Sequence, residues 1–256
     1  MAAKYKTLAV LAAAALALSA CSSGDDAAEQ MPQDSLHQKI AQAQASPSAS
    51  PSAEPDFEDL TTAQQAVMTG VVTATQLGFE NSAKISDEDM KQLAKKPEDT
   101  LKDTVVLPKA CSAPVEELNW SPAQLGSEAA RTDFTNQNQT VTGSLEVAKA
   151  GGQLAQRVAQ HYQVVDGILA NCQDVKLQGL DAVENLSFSS PGVDGVDSQL
   201  YYSRDGQYAQ NSLVFVHQEH GYVAMVSFIS TSPLKDENLN KVAMSILNAA
   251  LDQAGK

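Results

Sequence analysis

The chain has 256 residues, 43% of them apolar and 5% aromatic, with 31 acidic side chains against 17 basic ones and a formal net charge of −14. That is a globular composition. The excess of negative charge excludes nucleic acid and peripheral docking on anionic lipid, because both partners would be repelled rather than steered in.

Residues 1–20 open with Lys4 and Lys6, continue through the apolar stretch Leu8–Leu18 and end at Ser19-Ala20. That stretch covers about half of a ~30 Å hydrocarbon core, so it reads as a signal peptide and not as a permanent span. The tetrapeptide Leu18-Ser19-Ala20-Cys21 resembles the bacterial lipobox. The resemblance implies that the Cys21 sulfur receives a diacylglycerol, that the mature chain starts there, and that its acyl chains hold it to the membrane. An ordinary secretory signal followed by an unmodified cysteine is the alternative. Loss of Lys4 and Lys6 with the leader leaves 15 basic against 31 acidic groups and a charge of −16. Residues 21–59 read as a tether, polar and rich in Ser, Ala and Pro, with the low-complexity run Ser46–Pro55. Such a segment buries too little apolar area to offset its ordering entropy, and its r.m.s. span is roughly 30 Å.

Residues 60–256 are long enough for one sizeable core, and a single domain is expected. Helices are expected over Leu60–Phe79, with Gly78 as a C-terminal stop, and over Pro114–Leu118. A strand fits Glu128–Thr135, and in Thr140–Ala148 Val141, Gly143, Leu145 and Val147 alternate with polar residues, the pattern of a half-buried strand. From Gly152 to Asn171 a stripe of Leu154, Val158, Tyr162, Val165, Leu169 and Cys172 predicts an amphipathic helix. Short strands follow at Val175–Gln178 and Val183–Ser189. Three further runs, Val196–Tyr202, Gln207–His217 and Tyr222–Ile229, are separated by the turn signals Asp205-Gly206 and His220-Gly221 and read as an antiparallel meander. Leu239, Val242, Ala243, Ile246, Leu247, Ala250 and Leu251 predict a final helix, with Asp236 and Glu237 at its positive end. The expected class is α+β: an antiparallel sheet packed against amphipathic helices, without the alternation of a doubly wound sheet.

With Cys21 acylated, Cys111 and Cys172 remain as a pair in an exported chain and read as one disulfide. Two free thiols or a redox pair are the alternatives, although a redox pair is usually Cys-x-x-Cys, which is absent. The lipobox, the Pro/Ser tether, Gln76-Leu77-Gly78, Leu107-Pro108-Lys109-Ala110-Cys111, the strand Val141–Val147 and Leu169-Ala170-Asn171-Cys172 together form a pattern. It resembles that of actinobacterial envelope lipoproteins sharing the extracellular sensor domain of PknH-type kinases. The chain departs from that kinase domain in having one cysteine pair in place of two and in the position of its single tryptophan, Trp120. The resemblance implies an antiparallel sheet with a cleft, a ligand-binding or sensing role, and no catalysis.

No nucleophile elbow, phosphate loop, dinucleotide fingerprint or His-Glu-x-x-His motif is present, and no cofactor is expected. His217-Gln218-Glu219-His220 offers two imidazoles at a turn but no third rigid ligand, so no metal is expected. His161 reads as packed or half-exposed, and Asp181, Glu184, Asp194 and Asp197 read as solvated loop acids without the dense oxygen pattern of a calcium loop. In a chain poor in aromatics, Trp120, Tyr201 and Tyr202 are the candidate ligand contacts. Adjacent strand residues point to opposite faces, so one tyrosine should meet the core and the other a cleft, while Trp120 either joins that cleft or covers the end of the core. The function expected is a lipid-anchored, non-catalytic binding domain on the outer side of the membrane. Its ligand would be a neutral glycan, a lipid or a cationic peptide; the alternative is an accessory lipoprotein that contacts other envelope proteins.

Overall fold

The computed structural model describes residues 60–86, 88–90, 101 and 103–256. The leader at 1–20, the lipidation residue Cys21 and the tether to residue 59 lie outside the described residues. Helix α1 (Thr62–Gln76) opens with a capping box in which Thr61 Oγ1 accepts from the Gln64 N–H at 3.2 Å and Gln64 Oε1 accepts from the Thr61 N–H at 3.1 Å. Gly78, at φ +100°, ends it as the sequence expects, and the Phe79 N–H turns back to the Ala74 carbonyl.

Two short strands follow, β1 (Asn81–Lys84) and β2 (Val105–Leu107), then a 3-10 turn at Lys109–Cys111 and the short helices α2 (Ser112–Glu116) and α3 (Pro122–Leu125). The hairpin β3 (Ala129–Thr135) and β4 (Val141–Lys149) leads into α4 (Gly152–Asn171). Five strands then run in series: β5 (Asp174–Gln178), β6 (Val183–Ser189), β7 (Ser198–Asp205), β8 (Gln210–Glu219) and β9 (Tyr222–Ser230), before the closing helix α5 (Glu237–Ala254). All nine strands join one antiparallel sheet in the order β1-β3-β4-β9-β8-β7-β6-β5-β2. The expected three-stranded meander is thus five strands wide, and the β3–β4 hairpin extends it beyond β9. Strands β1 and β2, both at the sheet edges, were not expected, because three or four residues leave no alternation to read.

The fold is α+β, with helices on both sheet faces. On the first face α1 and α5 pack together over β3, β4, β9 and β8, through Ala63, Ala66, Val67 and Ala74 from one helix and Ala243, Ile246, Leu247 and Ala250 from the other. Gly70 sits where α1 meets both: an added Cβ would collide with the Leu145 side chain and lie 3.2 Å from the Ile246 carbonyl oxygen. On the second face α4 and α2 cover β6 and β7, and Trp120 and the first half of α4 cover β8 and β9. Strand β9 is consequently buried at all nine positions.

The buried stripe of α4 is Leu154, Val158, His161, Val165 and Ile168, with Cys172 at its end; it differs from the expected stripe only in burying His161 in place of Tyr162 and Ile168 in place of Leu169. His161 is buried, and Tyr162 lies at the margin. Glu184 corrects a second expectation: it is not a solvated loop acid but a buried β6 residue whose Oε2 accepts from Arg204 Nε at 3.1 Å. Arg131 and Glu146 form another buried pair at 2.8 Å, and the second Glu146 oxygen accepts from the Ala123 N–H, which pins α3 to the sheet.

Cys111 and Cys172 form a disulfide across a sequence separation of 61, tying the start of α2 to the end of α4. Both sulfurs are buried in the second-face core. Closing a loop of that length removes about 4 kcal/mol of denatured-state entropy in the chain-entropy treatment. The double variant Cys111→Ser, Cys172→Ser should therefore lower Tm by about 8–16 °C in a domain of this size. Calorimetry of both forms checks this, and an unchanged Tm would mean that the bond carries no stability.

Candidate functional site

The two helices of the first face stop at β8, and beyond Tyr201 of β7 no helix or strand among the described residues covers that face of the sheet. Register fixes which side chains lie there, since directly paired residues in an antiparallel ladder share a face. Leu107, Lys176, Asn185 and Asp205 make one cross-strand row, and Val105, Gln178 and Val183 another. All seven are exposed, with Val105 at 57% and Val183 at 46%.

A cleft of about 310 Å³ lies at the step between this bare floor and α5. Its floor is Tyr201, Leu213 and Ser189, one cross-strand row on the first face. One wall is the β6–β7 connection at Ser190 and Pro191; the other is Leu234, Lys235 and Asp236 with Glu237 and Asn240 of α5. The volume is at the lower end of the range for small-molecule sites.

Each part of the site is held by local chemistry. The Gln199 amide clamps the β6–β7 connection, accepting from the Val193 N–H at 2.7 Å and donating to its carbonyl at 2.8 Å. Tyr201 Oη donates to Asn211 Oδ1 at 2.6 Å, and Asn211 Nδ2 donates to the Thr231 carbonyl, joining the floor to the start of the opposite wall. Asp236 caps α5 by accepting from the Asn238 N–H at 2.8 Å. The Lys235 ammonium lies 4.7 Å from the Tyr201 ring centroid, within cation–π range. Burial raises the Tyr201 phenol pKa and the Asp205 charge adds to this, so the hydroxyl stays protonated and able to donate.

Of the three expected ring contacts, only Tyr201 borders the cleft. Tyr202 points to the second face, buried against Phe188, with its oxygen accepting from Gln210 Nε2 at 3.1 Å. Burial raises its pKa as well. Neither tyrosine is an exposed platform: Leu234, Val193 and Val196 of the two connections pack around Tyr201, and α2 and α4 cover Tyr202. Trp120 covers the end of the second-face core at 3% exposure. Its indole N–H donates to His161 Nδ1 at 3.1 Å, and His161 Nε2 lies 3.2 Å from Ser198 Oγ. The indole nitrogen can only donate, so His161 Nδ1 is the acceptor and Nε2 carries the proton.

The sequence reading missed Ser189, Ser190, Asn211, Lys235 and Asn240. The only signal near them was the acidic start of α5, which marked a helix end and nothing more. At the β8–β9 turn His217 Nδ1 is 2.8 Å from Asp197 Oδ2, which also accepts from Tyr162 Oη at 3.1 Å and from the Gln218 N–H. Desolvation, with the Asp197 charge beside it, pushes the Tyr162 pKa well above its usual value. Among the described residues no group of three or more His, Cys, Asp or Glu side chains could hold a metal ion.

No family model matches the chain, and no curated protein matches it. Among the solved structures similar to this chain, two share 12% identity with it. One is an uncharacterised protein of Mycobacterium smegmatis, an ortholog of Rv0999, with a TM-score of 0.42 over 77% of this chain and 100% of that one. The other is the extracellular domain of PknH from Mycobacterium tuberculosis, with a TM-score of 0.36 over 66% of this chain and 82% of that one. At these scores the likeness supplies neither site residues nor an activity.

The His161 environment sets a pH dependence. Burial, with a smaller contribution from the Arg157 charge, lowers its pKa from 6.5 to about 4. In the window between those values the unfolded chain binds the proton and the folded one does not. The associated stability is therefore complete above pH 6.5 and is lost as pH falls towards 4, by about 3 kcal/mol in all. Trp120 fluorescence melts at pH 7 and pH 4.5 should show this loss in the wild type and a flattened dependence in His161→Gln. Equal slopes in the two proteins would place the titration elsewhere.

Proposed function

We propose that this protein is a lipid-anchored binding domain of the cell envelope, facing outward, which holds a small ligand in the cleft beside α5 and does not transform it. The observation that carries the reading is the convergence of hydroxyl, amide, ammonium and carboxylate groups from Ser190, Asn240, Lys235 and Glu237 above the apolar floor of Tyr201 and Leu213. A preformed concave site with an apolar base and a few polar groups is built for recognition. The leader and the lipobox at Cys21 supply the anchor in this reading, and the buried disulfide suits an oxidising compartment. The charge of −16 turns away anionic ligands and leaves neutral glycans, lipids and cationic peptides as candidates.

A second reading is an accessory lipoprotein acting through protein contacts. The apolar side chains Val105, Leu107 and Val183 on the bare sheet face, with Leu180 at the adjoining turn 88% exposed, favour it.

Native mass spectrometry of the full chain extracted from its own envelope separates the two. A retained small molecule that is lost in Ser190→Trp, a substitution that fills the cleft from an exposed position, supports the first. A ligand-free mass with a co-purifying envelope protein that Val105→Asp releases supports the second. The anchor is tested by Cys21→Ala, which should move the protein from the membrane fraction to the soluble or unprocessed pool; a mature-sized protein still in the membrane fraction would overturn lipidation at this residue.

A further inference from the structure

We infer that the cleft recognises a ligand bearing an amine, and that Lys235 is the displaceable internal stand-in for that group. This rests on the cleft being a ligand site. The Lys235 side chain is exposed on the β9–α5 connection, yet its ammonium lies over the ring that floors the cleft, 4.7 Å from the centroid. Asp236 is its neighbour and Glu237 is one residue further, but among the described residues the ammonium pairs with no carboxylate. The ring face is thus where this site already accommodates a cation.

The remaining charges discriminate between ligand classes. An anion aimed at the start of α5 would meet the Asp236 carboxylate, which already accepts the Asn238 N–H, and the Glu237 carboxylate in the first turn. A neutral sugar or an acyl chain would need the ring face and would have to displace the ammonium, losing the cation–π contact with nothing of the same kind in return. A ligand amine replaces that contact one for one and releases Lys235 to water. It also gains the carboxylates of Asp236 and Glu237, which without Lys235 leave the cleft net negative. A lysine side chain of a peptide or another primary amine fits; the exchange leaves the rest of the site unchanged.

The test titrates the full-length protein in detergent micelles with pentalysine, with the same peptide acetylated at every amine, and with chitotriose as the neutral probe. Calorimetry reads affinity, and the resonances of Ser190, Tyr201 and Asn240 read location. Pentalysine should shift those resonances and the acetylated peptide should not. Lys235→Gln should tighten pentalysine binding about fivefold, since it removes both the competitor and a like charge. Lys241→Gln makes the same change in net charge on α5 outside the cleft and should tighten it less than twofold. Equal gains in the two variants, or a loss in Lys235→Gln, would reduce the effect to bulk electrostatics and overturn the inference. Cleft shifts with chitotriose or the acetylated peptide but not with pentalysine would overturn the amine assignment and leave the cleft a binding site. No shift there with any probe would remove both.

Discussion

The rest of the structure depends on a mismatch of widths. Nine strands spaced about 4.8 Å apart make a sheet close to 40 Å across, while two packed helices span about 20 Å. On the first face α1 and α5 therefore cover four strands, β3, β4, β9 and β8, and the remaining strands on the β7 side lie outside their reach. The central strands pay nothing for this, since β9 is dry on both faces. The outer strands β6, β5 and β2 are left with one wet face. Gly70 lets the two helices approach each other and Leu145 closely in the covered half.

The second face is closed differently, by one long helix and a set of short elements. The disulfide fixes α2 to the far end of α4, the Arg131–Glu146 pair holds α3, and Trp120 fills the space between. Charged groups enter this layer in pairs, Arg131 with Glu146 and Arg204 with Glu184, although Arg131 Nη2 and Glu184 Oε1 have no hydrogen-bond partner among the described residues. His161 is accepted there because the indole N–H of Trp120 and the hydroxyl of Ser198 satisfy both ring nitrogens, and in return it stays neutral. The layer is full, which is why the ring contacts expected at Trp120 and Tyr202 went into packing.

The candidate site is the product of the uncovered edge. Its floor comes from strands β6, β7 and β8 and its walls from two connections about forty residues apart in sequence, so no local pattern marks it. What makes the cleft a fixed shape is the hydrogen bonding of Gln199 to the β6–β7 connection and of Tyr201 through Asn211 to the Thr231 carbonyl. The charges around it belong to a domain that is acidic throughout, and the one ammonium inside it rests on the aromatic ring.

Sequence by itself determined the class of the domain, its seven longer strands and its long helices, because those depend on local periodicity and on end signals such as Gly78 and Asp236. It also pointed to the pairing of Cys111 with Cys172, with free thiols left as an alternative, and the structure forms that bond. Tertiary structure decided how many layers cover the sheet and how far each extends, and with that the fate of every ambiguous residue. Period two places Tyr201 and Tyr202 on opposite faces but cannot say whether a face is wet. Period 3.6 cannot separate His161 from Tyr162, or Ile168 from Leu169, when both neighbours are near the boundary of the stripe. Glu184 looked solvated because its partner Arg204 is twenty residues away and becomes adjacent only through β6–β7 pairing. Lys235 was invisible for the same reason: its place over Tyr201 is set by where a helix ends above a sheet, a distance in space with no counterpart along the chain.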